Sequence, residues 1–196
     1  MKNGKPSLIF DIRYFDGRKG RYSGNHHVTA YGRRLAWFLN SLGVSCGPYH
    51  SVYVHFVTDI PASVVDMGSY RGGGENWWHR NVYAGVPLDF PDSADAETIA
   101  MDTTVRALKA LVPEAGPLID QAEPIVRLHG AKLRFLVRQT SFKKYTLKIA
   151  TTITAHPHPS LLCITVVDNA TGTTTDLCPL PIGFYAEAFD YILRLS

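Results

Sequence analysis

The apolar positions of this chain change period along its length, and the changes mark its elements. In SLIFDIRYF, residues 7–15, Leu8, Phe10, Ile12 and Tyr14 fall on one face while Asp11 and Arg13 fall on the other. That period of two predicts a half-buried strand, ended by the turn signal Asp16-Gly17. RKGRYSGNHH follows as a return strand or a loop. VTAYGRRLAWFLNSLG then places Tyr31, Leu35, Phe38, Leu39 and Leu42 at helical spacing, with Arg33, Arg34 and Asn40 elsewhere and Gly43 at the helix C-terminal glycine position. SVYVHFVTDIP predicts a strand stopped by Pro61. A second helix is expected over about 93–112, capped by Ser93 or Asp92, with Met101, Val105, Leu108 and Val112 as its apolar stripe and Pro113 as its end. PLIDQAEPIVRLHG predicts a third helical piece, disturbed at Pro124 and closed by Gly130.

Beyond residue 130 the period returns to two. KLRFLVRQ, KKYTLKIATTITA and LLCITVVDNATGTTTDLC predict an antiparallel meander. In its middle strand Tyr145, Leu147, Ile149, Thr151 and Ile153 share one face, and Lys144, Thr146, Lys148, Thr152 and Thr154 the other, the alternation of a sheet with one solvated side. NATG supplies a turn. GFYAEAFDYILRL predicts a last helix that buries Tyr185, Phe189, Ile192 and Phe184. These elements predict an α+β fold in a single domain spanning 1–196: one mainly antiparallel, twisted β-sheet with about four helices packed on one face.

Composition adds limits. The chain has 196 residues, 45% of them apolar and 19% charged, enough for a packed core. No apolar run approaches the roughly 20 residues of a membrane span. The basic start MKNGKPSLIFDIRYFDG lacks the unbroken apolar stretch of a signal peptide. A soluble, unexported, cytoplasmic protein without membrane contact is therefore expected. Cys46, Cys163 and Cys178 are too few for a disulfide framework and too dispersed for a zinc site, so they read as structural thiols.

A net charge of +3 is small for a nucleic-acid binder, but its distribution is uneven. Residues 89–123 carry eight acids against Arg106 and Lys109, whereas residues 127–148 carry Arg127, Lys132, Arg134, Arg138, Lys143, Lys144 and Lys148 and no acid. Whether the two blocks face each other is open from sequence. Phe135, Phe142 and Tyr145 interleave the basic block. Phe135 and Tyr145 fall on expected core faces, however, which leaves no stacking platform for bases and makes a solvated sheet face the expected role.

The densest chemistry lies in RGGGENWWHR, residues 71–80. A phosphate loop would need GxxxxGK[ST] between a strand and a helix, and a dinucleotide fingerprint would need a βαβ turn. The segment has neither. Glu75 and His79, with His26 as a further group, form an acid–base pair only if the backbone brings them together, and the spacing does not require it. The two tryptophans are expected to point to opposite sides, Trp78 outward beside Arg71, His79 and Arg80, a composition suited to an interface anchor. Arg71, Glu75, Trp78, His79 and Arg80 are thus the expected partner-binding residues. The histidines His26, His27, His156 and His158 lack the spacing of a strong metal motif, whether or not they bind one. His55 alternates inside VYVHFV as a sheet histidine. No GxSxG motif is present, and no cofactor is implied.

The order SVYVHFVTDIP, WWHRNVYAGVPLDF, ADAETIAMDTTVRALKAL and KLRFLVRQTSFKKYTLKIATTITA, spanning about residues 50–178, resembles the layout of bacterial toxin-immunity proteins. The resemblance implies a non-catalytic protein that binds and blocks a cognate toxin through a charged surface, and it carries over no catalytic residue. The alternatives are a small enzyme around Glu75 and His79, and a nucleic-acid module on the 127–148 face. The oligomeric state is open.

Overall fold

The computed structural model describes residues 7–17, 20–21, 25–67 and 78–188. The fold is α+β and divides into two compact units, Met1–Leu128 and His129–Ser196.

The first unit is built on a five-stranded mixed sheet of strands β1 (Asp11–Asp16), β2 (Gly20–Arg21), β3 (Ser51–Val57), β4 (Val65–Asp66) and β5 (His79–Gly85) in the order β2-β1-β3-β5-β4. The three central strands β1, β3 and β5 run parallel, and β2 and β4 are antiparallel edges. Helix α1 (His26–Ser41) lies between β1 and β3 in the chain, as a parallel crossover requires. Asn25 caps it in an extended conformation, its side chain accepting from the His27 amide at 2.7 Å. Val28, Tyr31, Leu35 and Leu39 form the buried stripe. Gly43 ends the helix at φ 79°, a left-handed conformation that glycine adopts freely. The helix sits close on the sheet because Gly32 has no Cβ; one placed there would lie 2.4 Å from Tyr14 Oη.

Helix α2 (Ala96–Leu111) buries a face of small residues, Ala100, Thr103, Thr104 and Ala107, with Leu108. Thr104 Oγ1 donates to Tyr14 Oη at 3.1 Å, which puts α2 on the same sheet face as α1. Helix α3 (Gly116–His129) buries Ile119, Ala122 and Val126 and continues through Pro124 rather than breaking there.

The second unit is an antiparallel sheet of β6 (Phe135–Ser141), β7 (Tyr145–Thr151), β8 (Ser160–Asp168) and β10 (Leu180–Ile182) in the order β10-β8-β7-β6, with β9 (Thr174–Asp176) also on β8. Ile149, Leu162, Ile182 and Ala188 make its core cluster, and Val137 and Leu147 pack against it.

Several expectations need correction. There are two sheets rather than one, and the first is mixed. Its central strands gave no clean alternation because they are covered almost throughout: in β3 only His55 escapes full burial. Three α-helices are described rather than four. Of the expected last helix, Gly183–Ala186 is bend and turn and only Glu187 and Ala188 are helical; residues 189–196 lie outside the described residues. In the first predicted strand Ile9 is buried while Leu8 and Phe10 are exposed. The ladder begins only at Asp11, and Leu8 makes an isolated bridge to Ser45 instead. On α2, Met101 and Val105 are only half-buried. In β7 the inward face is buried at Ile149 and Thr151, half-buried at Leu147 and exposed at Tyr145, because the strand outruns its core cluster.

Candidate functional site

The parallel registry of the first sheet collects aromatic and imidazole rings on the face away from Tyr14. Arg13 pairs with Tyr53 and Phe15 with His55; Tyr53 in turn pairs with Asn81, His55 with Tyr83, and Ser51 with His79. Successive residues alternate sides, so Arg13, Phe15, Tyr53, His55, His79, Asn81 and Tyr83 share one face. Two rows of rings result. Phe15 stacks on His55 at 4.9 Å between centroids, and His55 on Tyr83 at 4.6 Å. The Arg13 guanidinium carbon lies 5.6 Å from the centre of the Tyr53 ring, and Tyr53 stacks on His79 at 4.2 Å. Such ring pairs contribute about 1 kcal/mol each beyond their buried area. His55 Nε2 and Asn81 Oδ1 lie 2.9 Å apart, which selects the Nε2–H tautomer as donor.

Trp78 ends the second row. Its ring meets His50 at 6.0 Å, Tyr53 edge-on at 5.6 Å and His79 at 4.5 Å, and it remains half-buried. The His50 and Ser51 amides both donate to the Trp78 carbonyl. Trp78 is therefore held by side chain and backbone together, with part of its ring accessible.

His79 is buried, with 5% of its surface exposed, and its Nδ1 has no hydrogen-bond partner among the described residues. Burial pushes its pKa below the ordinary imidazole value, and the nearby Arg13 and His50 push the same way. A neutral ring packed flat on Tyr53 serves to fix Trp78 rather than to meet solvent. Arg80 turns the other way: its Nη2 donates to the Met67 carbonyl at 2.7 Å and its guanidinium approaches the Tyr49 ring. Arg71 and Glu75 lie outside the described residues, as does Trp77, so of the acid–base pair only His79 has a described position. Sequence alone did not reveal the ring rows, because Tyr53 and His79 are brought together by strand registry across 25 intervening residues.

The other candidates are dispersed. His26 and His27 are exposed at the start of α1, and His156 and His158 are exposed in the turn before β8. Among the described residues no group of three or more His, Cys, Asp or Glu side chains is placed to hold a metal ion. Cys46 and Cys163 are buried and Cys178 is exposed; burial pushes the Cys46 thiol up to about 12. A groove of 450 Å³ between α2 and α3 is lined by Asp102, Val105, Arg106, Lys109, Asp120 and Glu123. Its charges are largely engaged with one another: Lys109 pairs with Asp120, and Arg127 bridges Asp102 and Glu123. Arg127, the first cation of the basic block, is thus tied to the acidic one.

The rest of the basic block departs from expectation. Phe135 is buried, but Tyr145 is 42% exposed and Phe142 46% exposed, and their rings meet at 4.8 Å. An exposed ring pair stands where the sequence pattern put a core residue. Among the described residues no helix is long and apolar enough to cross a membrane. No family model, no curated protein and no solved structure matches this chain.

Proposed function

We propose that this chain is a non-catalytic protein-binding protein, with neutralisation of a cognate toxin, as an immunity protein does, as its specific form. Trp78 carries the proposal. It is a large amphipathic ring, held by His50, Tyr53 and His79, with part of its surface left open at the end of the 68–77 segment. Preorganised tryptophans of this kind dominate binding energy at protein interfaces, because little rotamer freedom is lost when the partner covers them. In this reading Trp78 is the centre of the partner-binding surface and His79 supports it from beneath, while Arg80 turns to the other side of the sheet and the candidates Arg71 and Glu75 lie outside the described residues. The burial of His79 against Tyr53 also speaks against a solvent-accessible acid–base group.

The test is co-expression of the tagged chain with the product of the neighbouring gene, followed by affinity measurement. A 1:1 complex that weakens at least tenfold with Trp78→Ala is expected, since truncating a central tryptophan commonly costs about 2 kcal/mol or more. His79→Phe, which keeps a ring on Tyr53, should leave affinity within about threefold. Absence of a complex, or an unchanged affinity for Trp78→Ala, would sink the proposal.

A further inference from the structure

We propose that the β6–β7 hairpin of the second unit is a binding site for single-stranded nucleic acid, read without sequence preference through its rings and lysines. This inference is independent of the Trp78 surface. Residues 1–128 contain thirteen Lys and Arg and thirteen Asp and Glu, while residues 129–196 contain seven and four. The whole net charge of +3 therefore belongs to the smaller unit. Four of its lysines are also unused: Lys132, Lys143, Lys144 and Lys148 are exposed and make no ion pair among the described residues, whereas Arg134 is held by Asp176 at 2.8 Å.

Two of those lysines lie between the paired rings. Phe142 and Tyr145 bracket Lys143 and Lys144 at the hairpin, while Lys148 alternates to the face of β7 opposite Tyr145. The backbone beneath is fixed. The Phe142 amide donates to the Tyr145 carbonyl at 2.8 Å. Asn169, from the turn after β8, donates its side-chain amide to the Phe142 carbonyl at 2.7 Å and its backbone amide to the Lys144 carbonyl at 3.0 Å. Its Oδ1 accepts from Thr146 Oγ1 at 2.8 Å. Rings displayed on a hairpin so pinned lose little freedom when a base covers them.

The composition favours nucleic acid over a protein partner. Protein interfaces enrich aromatic residues and arginine but deplete lysine. Unpaired lysines next to exposed aromatic rings are the composition of single-strand binders, in which phosphates meet the cations and bases stack on the rings.

Fluorescence anisotropy of a labelled twenty-nucleotide oligothymidine with the full-length chain tests the proposal. Two phosphate contacts predict a slope of log affinity against log salt of about −1.4, a loss of roughly sevenfold between 50 and 200 mM salt. Phe142→Ala/Tyr145→Ala should weaken binding roughly tenfold or more at fixed salt, by loss of stacking on at least one base. Lys143→Gln/Lys144→Gln should flatten the salt slope by about 1.4. Circular dichroism of both variants should match the parent, since these side chains are exposed. The proposal is overturned if no binding is seen at 50 mM salt, or if the ring variant, folded, binds as tightly as the parent. It is equally overturned if polyglutamate or anionic lipid vesicles compete as well as the oligonucleotide, or if duplex DNA binds as well as the single strand, because then charge alone accounts for the contact.

Discussion

The two units each hold a five-stranded sheet, yet they treat their surfaces differently. In the first, β3 is buried at six of its seven positions, and α1 and α2 cover one face of the sheet while ring rows occupy the other. In the second, β7 is fully buried only at Ile149 and Thr151. The cations follow the same division. Arg13 and Arg33 reach Asp11, Lys109 and Arg127 pair across α2 and α3, and Arg34 and Arg106 donate to backbone carbonyls. The second unit leaves its lysines to solvent. The first unit thus uses its charged groups to hold itself together, and the second displays them.

The largest expected effect tests that contrast in the cores. Leu35 is fully buried on α1, and Leu35→Ala should cost about 3 kcal/mol by lost transfer energy and a residual cavity. Ile149→Ala, in a cluster of four buried residues rimmed by half-buried Val137 and Leu147, should cost nearer 2 kcal/mol, because a thin core collapses more readily around a deletion. Urea denaturation of the two variants decides it, and an Ile149→Ala cost equal to or above that of Leu35→Ala would erase the distinction. A second probe is Gly85, whose added Cβ would lie 2.0 Å from the Pro61 carbonyl oxygen. Gly85→Ala forces backbone to move and should cost about 2 kcal/mol. A melting temperature within a degree of the parent would show that this end of β5 is as yielding as the second unit.

The same contrast explains how much was legible in the sequence. The second unit announced itself through β7, where alternation survives because a lysine or threonine on one side must face water. Helix α1 was legible for a related reason, its stripe and Gly43 being local signals. The parallel centre of the first sheet was not, since strands covered on both sides lose their period and nothing local encodes strand direction. The seat of α2 was hidden as well. It packs through Ala100, Thr103, Thr104 and Ala107, and small residues chosen for close approach carry little hydropathy. Of the candidate site, Trp78 was singled out by composition, while the burial of His79 depended on registry with β3. The exposure of Tyr145 escaped because alternation reports which side a residue faces, not where the core beneath it ends.

The ring rows give a pH-dependent version of the comparison. His79 is the buried imidazole of the site, and Arg13 and His50 near it both disfavour its protonation. Its folded pKa lies below the unfolded value of 6.5, so the unfolded chain binds the extra proton first. This contribution is absent above the unfolded pKa, and stability falls as pH drops through about 6.5 towards the folded value. His79→Phe keeps a ring on Tyr53 and removes the proton site. Urea midpoints at pH 7.5 and 5.0 should therefore converge more closely in the variant than in the parent. An identical acid-side loss in both would mean that other groups cause it.

The smallest effect separates the cations most directly. Arg127 touches Asp102 and Glu123 and lies over the buried Tyr31 ring. It is a partly exposed ion pair with an aromatic contact, so Arg127→Met should cost about 0.5–1 kcal/mol, and the cost should shrink in 0.5 M salt as the pairs are screened. Lys148 has no ion pair among the described residues and sits on the solvated side of β7. Lys148→Met should leave stability within about 0.3 kcal/mol at either salt concentration, as surface substitutions away from such contacts do. Equal costs for the two would mean that the second unit's lysines are structural after all. A cost confined to Arg127 would leave Lys148 free for a ligand, as a display surface requires.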